Sequence, residues 1–212
     1  MRPTNDVDIV LHLETRRGLP SAVATALEIL GYRFRPSIDP RHNTAHRFVR
    51  GASTVDLVVG ADEQDQVDVL IADHPAPRVI ETLRGHEMTR IEGGTQALRR
   101  TVNARLEIVR GATATVSVPR PFGALILKAA AYTADSRDGD RHLFDAAALL
   151  ACIDDPFAER AGFAGSDRQR VLTLVRRLPM DHEAWRALPA DHRTQAQLTL
   201  ALLAGTEPRS IL

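Results

Sequence analysis

The run Arg2-Pro3-Thr4-Asn5-Asp6-Val7-Asp8-Ile9-Val10 places two carboxylates one residue apart in β-branched company. Side chains on a strand alternate faces with a period of two, so on a strand Asp6 and Asp8 share a face. Val7, Ile9, Val10 and Leu11 favour that strand. Two carboxylates side by side repel each other and cost stability unless a cation lies between them. Mg²⁺ takes carboxylate oxygens together with waters and substrate phosphates, which such a pair can offer. The plain alternative is an edge strand with two solvated aspartates on its wet face.

Outward from this strand, expected over Asp6–Leu13, the run Arg16-Arg17-Gly18-Leu19-Pro20 reads as a turn. Pro20 then opens a helix through Ala22, Val23, Ala26, Leu27 and Leu30 that Gly31 stops. Strands are predicted at Ala45–Arg50, Thr54–Val59 and Gln66–Ile71, the last two joined as a hairpin by the polar turn 60–65. Pro75–His86 reads as a short helix and loop. Gly93-Gly94-Thr95 reads as a loop-to-helix junction capped by Thr95, with anion binding at the glycine pair as the weaker alternative. Arg105–Val109 and Thr113–Val118 fit two short strands split by Gly111. From Pro119-Arg120-Pro121 onward the period is helical: Phe122–Asp135, Arg141–Ile153, Ser166–Arg177 and Asp191–Ala204. Ser166 and Gln169 form a capping-box pattern. The organisation predicted is α+β: an α/β domain over 1–118, then a helical domain over 119–212.

Composition narrows the class. The 212 residues are 44% apolar and 25% charged, ordinary for a globular chain. A formal net charge of +0 argues against a whole-surface grip on nucleic acid and leaves room for local patches. No apolar run approaches a membrane span, and no signal-peptide core follows Met1, so a cytoplasmic protein without a membrane partner is expected. The one cysteine, Cys152, sits in the apolar run 146–153 and is expected to be a buried small hydrophobe. His42, His46, His74 and His86 lack metal-ligand spacing and are expected at the surface or in loops.

Of 27 basic residues, one alone is lysine: Lys128, within Ala124-Leu125-Ile126-Leu127-Lys128-Ala129-Ala130-Ala131-Tyr132. In such company it must snorkel to solvent, pair with an acid or reach a ligand phosphate. Asp145, in the next helix, is the natural partner for an ion pair. Two further acids sit in apolar strands, Asp56 in 55–59 and Asp68 in 67–71, and Asp68 is favoured as a third carboxylate. Nucleotidyl transfer needs this combination: carboxylates to fix Mg²⁺ and a cation to neutralise phosphate charge.

Thr4-Asn5-Asp6-Val7-Asp8 resembles the metal-binding motif of the DNA polymerase β-like nucleotidyltransferase superfamily. The chain from residue 2 to about 150 is similar to the AbiEii-type nucleotidyltransferases, toxins of bacterial toxin–antitoxin pairs that include the MenT toxins. The matching pieces are Arg2–Asp8, Ala45-His46-Arg47-Phe48, Val67-Asp68-Val69-Leu70, Gly93–Leu98, Lys128 and Arg141-His142-Leu143-Phe144-Asp145. The resemblance implies a minimal nucleotidyltransferase-like mixed sheet with flanking helices, and an active cleft between the two halves. By the same resemblance Asp6, Asp8 and Asp68 would bind Mg²⁺, and Asp68 would help to activate the acceptor. Lys128, with Thr4 and Asp145, would line the NTP. The expected partners are an NTP, a tRNA 3′ end as acceptor and a cognate antitoxin, with Arg16, Arg17, Arg99 and Arg100 as phosphate contacts. A protein hydroxyl is an equal alternative acceptor. A degenerate, non-catalytic binding or regulatory module is the alternative function. Two departures from the family pattern stand out. Its Gly-Gly or Gly-Ser turn, about ten residues before the Asp pair, is expected to be missing, because the chain starts five residues before Asp6. His142 stands where relatives often carry an acid.

Overall fold

The computed structural model describes residues 6–11, 13, 18–36, 43–51, 65–72 and 82–205. Thr4, Arg16, Arg17, His42, Asp56, His74 and the expected strand Thr54–Val59 lie outside them. The fold is α+β, with three small sheets and eight helices among the described residues. It divides into two compact units, Met1–Gly94 and Thr95–Leu212. The boundary expected at 118/119 falls within the second unit, at the end of a hairpin strand.

The first unit is built on strand β1 (Asp6–Leu11) and helix α1 (Leu19–Ile29). Strands β2 (Arg33–Arg35), β3 (Thr44–Ala45), β4 (Arg47–Arg50) and β5 (Asp65–Ala72) follow. Three short strands complete it: β6 (Thr82–Leu83), β7 (His86–Met88) and β8 (Arg90–Ile91). The larger sheet runs β1-β5-β4-β2, with β8 also on β5. β1 and β5 are parallel, whereas β4 is antiparallel to both β5 and β2. One face of this sheet is apolar. Phe48, Val67, Val69 and Ile71 pack there with Ala24 and Leu27 of α1, and Phe34 joins them. Pro20 sits in the first turn of α1, and Gly31, at φ 86°, lies just past its end in the left-handed region open to glycine.

The smaller sheet, β3-β7-β6, turns at Arg84-Gly85, both with positive φ. The expected helix and loop over Pro75–His86 is therefore a tight hairpin in its described part. Arg84 donates to both carboxylate oxygens of Glu28 (2.8 and 2.5 Å) and to Thr25 Oγ1 (2.9 Å), which ties the hairpin to α1. The pairing holds Glu28 below the usual carboxylate range.

Helix α2 (Gly94–Leu98) starts on the last residue of the first unit, and the second unit holds the rest of it and the hairpin β9 (Thr101–Val109) and β10 (Ala112–Pro119), turned by Gly111 at φ 82°. Thr95 lies inside α2 instead of capping it. The helices are α3 (Pro121–Ala134), α4 (Asp140–Leu150), α5 (Pro156–Ala161), α6 (Asp167–Arg177), α7 (Glu183–Arg186) and α8 (Ala190–Ala204). Phe122, Leu125, Ile126 and Ala129 recur at helical spacing on α3 and meet Leu143, Ala146 and Leu150 of α4 in one core. Burying a side chain of leucine size contributes about 1.5–3 kcal/mol over leaving it exposed. Trp185 is buried in the same core and donates Nε1–H to Pro179 O at 2.9 Å.

Two details differ from the sequence reading. Ser166 does not cap α6 with its side chain, because its hydroxyl accepts from Gln96 Nε2 (3.1 Å) and Arg170 Nε (2.9 Å). Cys152 is exposed, since α4 ends at Leu150 and the thiol lies in the following turn, near Ala148 O. Among the described residues no helix is long and apolar enough to cross a membrane.

Candidate functional site

Parallel pairing of β1 with β5 sets Asp8 opposite Asp68 and Asp6 opposite Gln66. Residues paired in register point to the same face, so Asp8 and Asp68 share the face opposite α1. Two more pairings extend this line across the sheet: Asp68 with Arg47 on β4, and Arg47 with Arg35 on β2. The result is one cross-strand row, Asp8–Asp68–Arg47–Arg35, with acids at one end and arginines at the other.

Asp68 is 8% exposed. A carboxylate buried that deeply needs compensation. Arg47 supplies it as a two-toothed fork, donating from Nε to Oδ1 at 3.0 Å and from Nη2 to Oδ2 at 2.9 Å. His46 Nε2 lies 3.7 Å from the same Oδ2, and His46 Nδ1 is 2.9 Å from Thr89 Oγ1. Asp8 is exposed. Among the described side chains no group of three His, Cys, Asp or Glu forms a ready-made metal cluster. The Asp6 side chain lies outside that set.

Gly94 has a packing role, and Gly93, at φ 81°, takes the left-handed conformation open to glycine. A Cβ on Gly94 would lie 2.9 Å from Ala72 Cα, so Gly94, the last residue of the first unit, presses directly onto the end of β5. That favours the plain junction over an anion site, and α2 is only five residues long.

The second unit carries the expected Lys128–Asp145 pair. Lys128 Nζ lies 2.7 Å from Asp145 Oδ2, with the two side chains 37% and 51% exposed. The lone lysine thus joins α3 to α4 at a solvent-reachable place. Beside it, His142 is buried, with Nε2 3.4 Å from Asp135 Oδ2 and Nδ1 without a partner among the described residues. Burial first, then the charges of Arg141 and Lys128, push the His142 pKa down against the pull of Asp135. Asp135 is itself held below the usual carboxylate value by the backbone amides of Arg137 (2.9 Å) and Asp138 (3.1 Å). An open cavity of about 580 Å³ adjoins this α3–α4 loop, lined in part by Tyr132, Asp135, Arg137 and Arg177.

Arg100 is a structural side chain, not a free phosphate contact. It pairs with the fully buried Asp167 at 2.6 Å, donates to Gly162 O at 2.9 Å and lies over the Phe122 ring. Arg99 is exposed. The sequence reading missed Arg33 and Arg35 and gave Arg47 no role. The signal was present in the alternation Arg33-Phe34-Arg35, which marks a strand with arginines on one face.

Comparison with family models, with curated proteins and with solved structures finds no match to this chain.

Proposed function

We propose that the chain is a Mg²⁺-dependent nucleotidyltransferase that moves a nucleoside monophosphate from an NTP to an acceptor hydroxyl. The supporting observation is the registered pair Asp8 and Asp68 on parallel strands β1 and β5. Neighbouring strands lie about 4.8 Å apart, so the two carboxylates are held within chelating distance of one small cation. Their oxygen donors are hard ligands that suit Mg²⁺ better than softer metals. A carboxylate has about four lone-pair sites. The Arg47 fork donates to one such site on each oxygen of Asp68. Asp6, two residues before Asp8 on β1, is the third proposed ligand.

When bound, Mg²⁺ would neutralise charge on the transferring phosphoryl group. The acceptor oxygen attacks the α-phosphorus, the bond from that phosphorus to its bridging oxygen breaks, and pyrophosphate leaves. Asp68 takes the acceptor proton. Lys128 is the proposed phosphate cation, and Asp145 positions its ammonium group. The family resemblance adds the acceptor, a tRNA 3′ end, and the setting, a toxin held by an antitoxin; a protein hydroxyl fits the same chemistry.

One observation favours the second reading, a non-catalytic module of the same fold. Arg47 already satisfies both oxygens of Asp68, as a structural cation would.

The test is transfer of label from each α-³²P-NTP, with Mg²⁺, onto total tRNA and onto protein. Label should appear with wild type and fall by at least about a hundredfold in Asp8→Ala, Asp68→Ala and Lys128→Ala. No label on either acceptor class would leave the module.

A further inference from the structure

Beyond the acids, the row across the larger sheet ends in arginines that the proposed reaction does not use. A second row runs beside it: Asp6, Gln66, Val49 and Arg33. Arg33 and Arg35 therefore stand together on β2, on the same sheet face as Asp8 and Asp68. β2 is the outer strand of the order β1-β5-β4-β2. Between the two arginines, Phe34 turns the other way and meets Phe48 at 5.3 Å between ring centroids. That aromatic contact fixes the register and holds both arginines outward.

Their chemistry differs from that of the arginines on the neighbouring strand β4. Arg47 is engaged by Asp68 and Arg50 lies over the Tyr32 ring. The side chains of Arg33 and Arg35 are exposed and make no hydrogen bond or ion pair among the described residues. Residues two apart on a strand are separated by about 7 Å. Two guanidinium groups at that interval repel each other, and they match the step between successive phosphates of an extended nucleic-acid strand. The chain has a net charge of +0, so any grip on a polyanion has to come from such a local stripe.

We propose that Arg33 and Arg35 form a phosphate-binding stripe for the backbone of a single-stranded nucleic-acid acceptor. Three strand spacings, about 14 Å, separate β2 from β1 and leave room for the acceptor's end between stripe and acids. The direction of the strand, with its reactive end toward Asp8 and Asp68, rests on the transferase reading. The binding itself rests on β2 alone.

The test uses the full chain and a fluorescein-labelled oligouridylate, with anisotropy titrations at several salt concentrations. The variants are R33Q/R35Q, each single change, and R110Q/R168Q as a charge-matched control on exposed arginines elsewhere. The double change should weaken binding about tenfold. It should also make the plot of log affinity against log salt shallower by about 1.4, as expected for two lost contacts to a single strand. Each single change should give about half that slope change, and the control should give none. Absence of wild-type binding, or equal affinity and slope in R33Q/R35Q, would overturn the stripe. Unchanged oligouridylate affinity with a raised KM for NTP would overturn it too, by assigning the arginines to the triphosphate. Loss of binding in R33Q/R35Q, with no label transfer by wild type, would sink the transferase reading and keep the stripe.

Discussion

His142 shows how one side chain takes its behaviour from its surroundings. Its pKa lies below the usual 6.5 because burial and the nearby Arg141 and Lys128 disfavour the imidazolium. In the unfolded chain the same ring takes up a proton near that usual value. Between the two values the unfolded state binds more protons, so stability falls as the pH drops through this window below 6.5. His142→Gln removes this contribution. The stability gap between wild type and variant should therefore shrink as the pH falls, by at most about 1.4 kcal/mol per unit, the linkage for one proton. Urea unfolding across the window measures it; a gap that stays constant with pH would show that His142 does not titrate differently in the two states. At this scale the sequence was legible in part. The lone lysine among apolar neighbours pointed to an acid, and Asp145 is that acid. Arg100 was not legible as a structural residue, because its partner Asp167 lies 67 positions away and only the packed core brings them together.

At the scale of elements, legibility followed length. The five helices of eleven residues or more stand close to where the period of their apolar residues put them, and the two strands split by Gly111 were visible from their alternation, although the first begins at Thr101 and not at Arg105. That alternation gives β9 and β10 one apolar side, including Val102, Leu106, Val116 and Val118, and all four are exposed. β2, β3, β6, β7 and β8 have two or three residues each, too few for a period to register, and pairing defines them, with β6 alone finding its partner in the next strand across a tight turn and β7, β3, β2 and β8 pairing across longer separations. Such short elements depend on close contacts, and Gly94 makes the closest one to backbone. Gly94→Ala sets a Cβ against backbone at Ala72 and should cost about 1–3 kcal/mol. Gly162→Ala, whose added carbon meets nothing nearer than 3.5 Å, is the control and should be almost neutral. Denaturation midpoints by circular dichroism compare the two; equal shifts would mean that Gly94 does not press on β5 as described.

On the scale of the whole molecule, each unit has its own apolar core, one around Phe48 and Val69 and the other around Phe122 and Trp185. The chemistry-bearing residues sit at the rims of these cores. Asp8 and Asp68 lie on the face that α1 leaves uncovered, and the lysine lies where α3 meets α4. The Asp-x-Asp strand and the acid in β5 could be read from sequence because carboxylates in apolar strands are costly and conspicuous. Their registration could not, since it depends on which strands pair. That registration carries the central claim, that Asp8 and Asp68 together hold a divalent cation. Mn²⁺ titration followed by electron paramagnetic resonance, with wild type beside Asp8→Asn and Asp68→Asn, tests it most directly. Bound Mn²⁺ is expected in wild type, competed by Mg²⁺ and weakened at least about tenfold by either substitution. Wild type that leaves Mn²⁺ free, or variants that bind it as tightly as wild type, would contradict the account.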